Sequence, residues 1–105
     1  AAERDYRAAL AIAPDHPDAS HYLGVLLYQR GRIDEALPLL REAVQRMPQE
    51  PEFHNNLGLA LAAAGHIDEA VESYRRALEL KPGYELASAN LDAALKAKGG
   101  PAPTA

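Results

Sequence analysis

The residues of this sequence able to carry chemistry are four histidines, two recurring acid pairs and three serines. His16, His21, His54 and His66 are spread along the chain, and none pairs at i, i+4 with another metal ligand on one helical face. A zinc site needs three or four converging ligands, so these histidines predict no metal centre. Asp34-Glu35 and Asp68-Glu69 have the look of paired carboxylates for acid–base work. Their recurrence at the same place in two similar segments points instead to helix starts, with Asp34 or its neighbour as the cap and Glu35 at the positive end of the dipole. Asp15-His16 and Asp18 fall in a turn, where acids have ordinary capping roles. Ser20, Ser73 and Ser88 have no neighbouring base of the nucleophile-elbow kind. The glycines recur at helix stops and tight contacts and form no loop able to cradle phosphate. The inventory predicts a segment that is not an enzyme and takes no cofactor.

The elements that hold these residues are legible from a repeat. Pro14, Pro48 and Pro82 are separated by 34 residues each, and Pro17–Glu50 aligned with Pro51–Tyr84 gives 12 identities in 34 positions without a gap. Self-similarity at a fixed period is the signature of a repeat architecture. Leu23/Leu57, Gly24/Gly58, Leu27/Leu61, Gly31/Gly65 and Ala43/Ala77 recur, as does the run Ile33–Ala36 in Ile67–Ala70. Ala2, Tyr6, Ala9 and Pro14 continue the register upstream; Asn90, Leu91, Ala94, Leu95 and Gly99 continue it downstream.

Each unit resolves into two helices. Leu23, Leu26, Leu27 and Tyr28 recur at helical spacing, and Gly31 ends the first helix as a residue free to take positive φ. Ala36, Leu40, Ala43 and Val44 form the stripe of the second, which Pro48 prevents from continuing. Small residues at 24, 36 and 43, and again at 58, 70 and 77, let paired helices approach closely. Pro38 removes one backbone donor early in the second helix without breaking it.

Composition narrows the function classes. The net charge is −4, from 15 acids and 11 bases, with no Lys/Arg block, which argues against a nucleic-acid partner. Cysteine is absent, so disulfides and thiolate metal sites are excluded. No apolar run approaches the roughly 18–20 residues of a membrane span. The compartment is not readable, a soluble cytoplasmic chain being the favoured reading. The chain opens on Ala1-Ala2-Glu3-Arg4, without an initiator Met and already in a helical pattern, which reads as a segment of a longer protein.

Helix pairs at this period, with Leu-Gly in the first helix, Ala opening the second and Pro closing it, resemble the tetratricopeptide repeat. The second unit is closest: Asn56-Leu57-Gly58, Gly65, Asp68-Glu69-Ala70, Tyr74, Ala77–Leu80 and Pro82. The first departs at Ser20 and Leu40, where the family often carries aromatics. The resemblance implies an all-α, right-handed solenoid of antiparallel helix pairs with about 2.5–3 repeats. Its units would be a second helix at 1–14, repeats at 17–50 and 51–84, a closing helix at 85–98 and a flexible tail at 99–105.

The resemblance also implies a concave face lined by the first helix of each pair. By register that face holds Asp18, His21, Tyr22, Val25, Tyr28 and Gln29, then Glu52, Asn55, Asn56, Leu59, Ala62 and Ala63, then Leu86, Ala89, Asn90, Ala93 and Ala97. Such a strip suits a protein or peptide segment, with apolar anchors and amides reaching its backbone. Asn56 and Asn90, one repeat apart, are similar to the asparagine ladder in the tetratricopeptide superhelix of O-linked N-acetylglucosamine transferases; the alternative is two polar residues facing solvent. Tyr22 and Tyr28 beside the alanines read as a ridge next to a depression, or as a pair packed on each other. A chaperone-tail clamp is not expected, because His21, Val25, Leu86 and Asn90 stand where that subset carries other groups. Self-association through the solenoid ends and a targeting arm for a glycosyltransferase are the competing readings.

Overall fold

The computed structural model describes residues 2–99. Six helices follow one another: α1 (Ala2–Ile12), α2 (Pro17–Gln29), α3 (Ile33–Arg46), α4 (Pro51–Ala63), α5 (Ile67–Leu80) and α6 (Glu85–Gly99). They pack as sequential pairs, α2 with α3 and α4 with α5, flanked by α1 and α6. The result is an all-helical array of about three repeats, 57 × 27 × 19 Å. Gly99, expected in the tail, closes α6; residues 100–105 lie outside the described residues.

The starts and stops follow from local chemistry. Pro17 and Pro51 open α2 and α4, where a missing N–H costs nothing and the fixed φ suits the helix. His16 caps α2 through its ring, Nδ1 accepting from the Ala19 N–H at 3.2 Å. Both first helices end in the same double-bonded turn. Gly31 and Gly65 take φ of 78° and 88°. Arg32 N–H then reaches the Leu27 carbonyl at 2.8 Å, and His66 N–H reaches that of Leu61 at 2.8 Å. Only glycine adopts this conformation without steric cost.

The second helices start differently from the sequence expectation. Arg32 and His66, not Asp34 and Asp68, occupy the capping positions, and neither makes a side-chain cap bond. The acids sit inside the first turn, where the helix dipole attracts them and where Glu35 and Glu69 also pair with Arg32 and Arg41. Pro38 is exposed within α3, which runs unbroken from Ile33 to Arg46.

The core runs through both pairs: Leu23, Leu27, Ala36 and Leu40 continue into Leu57, Ala60, Leu61, Ala70, Val71, Tyr74 and Ala94. The tightest contact in each pair falls on a glycine. A Cβ on Gly24 would stand 2.7 Å from Leu40 Cγ and Cδ2, and one on Gly58 would stand 2.5 Å from Tyr74 Cε1. Outside the pairs the structure thins. No residue of α1 is buried. The helix is tied by Glu3 to Arg30 at 2.7 Å and to Arg32 at 3.0 Å, and Arg32 also grips Glu35 at 2.6 Å. The Arg7 guanidinium, with Arg32, holds the Glu3 carboxyl below its ordinary range. Pairs this exposed contribute little individually.

Two outcomes are expected. Gly58→Ala should lower stability by about 1–3 kcal/mol, because the new Cβ meets a rigid, buried tyrosine ring, whereas overpacking at Gly24 meets a more pliable leucine. Thermal melts of the two alanine variants check this, and equal, negligible losses would contradict the packing. Amide hydrogen exchange should show α1 opening well before α4 and α5, since it has no fully buried residue and only Tyr6 and Leu10 pack on the core; uniform protection would require another surface covering α1.

Candidate interaction groove

The three first helices, α2, α4 and α6, lie side by side and form one face of the array, with α4 in the middle. On that face is an open depression of about 380 Å³. Tyr28 borders it from α2, Leu59, Ala62 and Ala63 from α4, and Asn90, Ala93, Ala94 and Ala97 from α6, with Ile67 and Tyr74 of α5 beneath. No charged side chain lines it. Burial pushes the Tyr74 phenol up to about 12, so it stays neutral under the groove.

The alanines explain the depression. Gln29, Ala63 and Ala97 share one register position and Val25, Leu59 and Ala93 another, and at both α6 carries an alanine. Tyr22 and Tyr28 do not pack on each other. Tyr28 joins the depression, whereas Tyr22, 45% exposed, stacks on Tyr6 with ring centroids 6.1 Å apart. Val25 and Leu59 are half-buried, and Gln29 and Ala63 are exposed.

Two of the residues placed on this face by register are not open to it. His21 is fully buried, its ring stacked on Phe53 at 4.0 Å and met edge-on by Tyr22 at 5.0 Å. Asn55 is 2% exposed and accepts a hydrogen bond from Asn90 Nδ2 at 3.0 Å. The matching bond one repeat earlier joins Asn56 Nδ2 to His21 Nε2 at 3.3 Å. Asn56 and Asn90 are thus half-buried, and each has an amide N–H engaged within the fold. Each reaches back to the preceding first helix, and the pairs are His21–Asn56 and Asn55–Asn90, both 35 residues apart.

This hydrogen-bonded seam was not visible at a 34-residue offset. It joins unlike residue types in its first step, and only the Asn55-Asn56 dipeptide hinted that both neighbouring positions matter. Two of the other histidines also have structural tasks: His54 Nε2 donates to the Pro48 carbonyl at 2.8 Å, and His16 caps α2. Among the described residues no three His, Cys, Asp or Glu side chains converge as metal ligands, and no helix is long and apolar enough to cross a membrane.

His21 is the seam's vulnerable member. If Asn56 donates to Nε2, the neutral ring carries its proton on Nδ1, which is buried without a partner, as is Ser20 Oγ. Burial depresses the His21 pKa below its ordinary 6.5, outweighing the opposing pull of Glu52, 3.7 Å away, and of Asp18. The unfolded chain therefore binds the proton more readily. The contribution of a neutral His21 is fully present above 6.5 and is lost as pH falls from there toward the folded value. The melting temperature should accordingly drop between about pH 7 and pH 5. His21→Asn, which copies Asn55, should keep the seam and flatten that slope. An equal slope in the variant would assign the effect to other groups.

The tetratricopeptide repeat family profile matches residues 1–51 and 30–85. Among solved structures, a mutant of the Thermobaculum terrenum O-GlcNAc transferase superposes with a TM-score of 0.85 at 42% identity, covering 89% of this chain and 18% of the transferase. MamA of AMB-1 superposes with a TM-score of 0.82 at 29% identity, covering 92% of this chain and 53% of MamA. MamA of MSR-1 gives 0.81 at 28% identity, with 92% and 56% covered. A search of curated protein sequences finds no significant match. The chain belongs to the tetratricopeptide repeat family, whose modules generally serve as protein-interaction scaffolds.

Proposed function

We propose that this module binds an extended or helical segment of a partner protein along the face formed by α2, α4 and α6. The observation that carries the reading is the uncharged depression between Tyr28 and the α6 alanines. A concave, mostly apolar site with a few polar groups at its edge is the usual form of a binding site. An apolar side chain of the partner fills it, and Tyr22, exposed midway along α2, gives a second contact. Asn56 and Asn90 spend an amide N–H on the seam, so their carbonyl oxygens remain to accept from partner backbone N–H groups. His21 and Asn55 act from behind, holding those amides in place.

The test uses peptides recovered with the module from cell lysate. Ala93→Glu and Ala97→Glu place charged side chains over the depression from exposed positions of α6. Each should weaken binding at least about ten-fold, or roughly 1.4 kcal/mol, with little change in melting temperature. Glu72→Lys, on the exposed side of α5, should change neither. Full affinity in both alanine variants would move the site off this face.

A second reading has its own support. The 42% identity to a segment of an O-GlcNAc transferase, with Asn56 and Asn90 in register, fits a substrate-presenting arm of a longer transferase. In that case the longer protein glycosylates the peptides that the groove retains. Mass spectrometry that finds no sugar on them after incubation with the longer protein and a sugar donor would dispose of it.

A further inference from the structure

A second depression lies where α1 meets the end of α2, and it shares no lining residue with the uncharged one. Its volume is about 440 Å³, and Glu3, Arg4, Arg7 and Arg30 line it. Three cations and one anion give that lining a formal charge of +2, in a chain of net charge −4. Asp34 and Glu35 border a separate hollow, with Arg32. Glu3 accepts from Arg7 Nε at 3.0 Å and from Arg30 Nη1 at 2.7 Å. A guanidinium has five N–H donors, so both arginines, each about half exposed, keep several for a ligand. Arg4 is exposed and pairs with no acid among the described residues. The repeat does not call for these cations: 34 residues on, the same positions hold Leu37, Pro38, Arg41 and Ala64. Pro38, Arg41 and Ala64 are exposed in the middle of the array, so the positions of the three arginines are open by their place in the repeat. Holding α1 accounts for Glu3, Arg7 and Arg30 but not for Arg4, which ties nothing.

We propose that this hollow binds the phosphate of a phosphorylated serine or threonine on a partner segment. A phosphomonoester carries about −1.5 to −2 charges at neutral pH and three acceptor oxygens, which complements the charge of the lining. Arginine forks bond such oxygens in pairs, and Glu3 already holds two of the forks, which lowers the cost of ordering them. Arg4 adds a cation that has no acid to leave. No aromatic or apolar side chain lines the hollow, so nothing there grips the base or ring of a nucleotide. The phosphate is recognised as an end group on something held elsewhere. Arg30 follows Tyr28, which borders the uncharged depression, by two residues. For the carrier of the phosphate the proposal rests on the function given above: a segment seated in the groove brings its phosphorylated side chain past Tyr28 to the arginines. Phosphorylation of the partner then strengthens its hold on the module.

The test is an NMR titration of the full chain at low salt, reading the arginine Nε–H signals. The probe is a short alanine peptide with a central phosphoserine, which lacks an apolar anchor and so reads the hollow without the groove. Signals of Arg4, Arg7 and Arg30 should shift and saturate, while that of Arg75, which repeats Arg7 on α5, stays in place. The unphosphorylated peptide should shift none of them, and one with aspartate, a single charge, should bind at least about five-fold more weakly. Arg4→Gln should weaken the phosphopeptide by about five-fold or more. Arg4→Glu should abolish its binding, and a melt should show both variants as stable as the native chain. Ala93→Glu, which closes the uncharged depression, should leave this titration unchanged, so failure of the groove and failure of the hollow are read separately. Unmoved arginine signals, or equal binding of the aspartate peptide or of Arg4→Gln, would overturn the proposal. So would inorganic phosphate, or vesicles of phosphatidylcholine with phosphatidic acid, shifting these signals where the phosphopeptide does not.

Discussion

The array depends on how closely two helices of a pair can approach. At Gly58 the backbone of α4 lies against the Tyr74 ring, and at Gly24 the backbone of α2 lies against Leu40. This approach explains the alanines at 36, 43, 70 and 77, all fully buried, because anything larger would part the helices. It also explains how a chain with no Trp and one Phe forms a core. Packing density, not side-chain size, supplies the dispersion contacts. Where the constraint lapses, in α1 and α6, less is buried: no residue of α1, and Ala87 and Ala94 of α6.

Pairing sets the second level of order, the relation of one pair to the next. Successive first helices run side by side, so equivalent residues point in the same direction and cannot meet. A neighbouring position, turned by about 100° around the helix, can point back across the gap. That is why the seam bonds residues 35 apart and why His21–Asn56 and Asn55–Asn90 are its steps. Arg41 to Glu69, at 3.0 Å, joins the second helices in the same sense but in water, where it contributes less. The seam therefore couples the curvature of the groove to buried polar groups, which tolerate loss of a partner poorly.

Much of this architecture was legible in the sequence. The prolines and glycines recur where backbone geometry demands them, and a 34-residue self-alignment locates six helices because each constraint is local. What was not legible depends on neighbours in space. Register put His21 and Asn55 on an open face, but Phe53 and Tyr22 cover the first, and Asn90 closes over the second. The Asp34 and Asp68 caps failed for a related reason: the double-bonded turn at Gly31 and Gly65 brings Arg32 and His66 into the capping positions before the acids arrive. The tyrosine ridge divided, since Tyr22 found Tyr6 and Tyr28 found the alanines.

The same economy links binding to stability. A groove deep enough to receive a side chain requires small residues on its far wall, and Ala93, Ala94 and Ala97 provide them at the cost of burying little on α6. α6 is held instead by Ala87 and Ala94 in the core, by the Asn90 bond and by Lys98 reaching Asp68 at 2.9 Å. A partner lying in the proposed groove would bridge α2, α4 and α6 and add contacts to α6, which buries only Ala87 and Ala94. On the proposed function, ligand occupancy and the order of the last helix form one equilibrium: a partner that binds the ordered face stabilises it by mass action, and a change that loosens α6 weakens that binding by the same free energy.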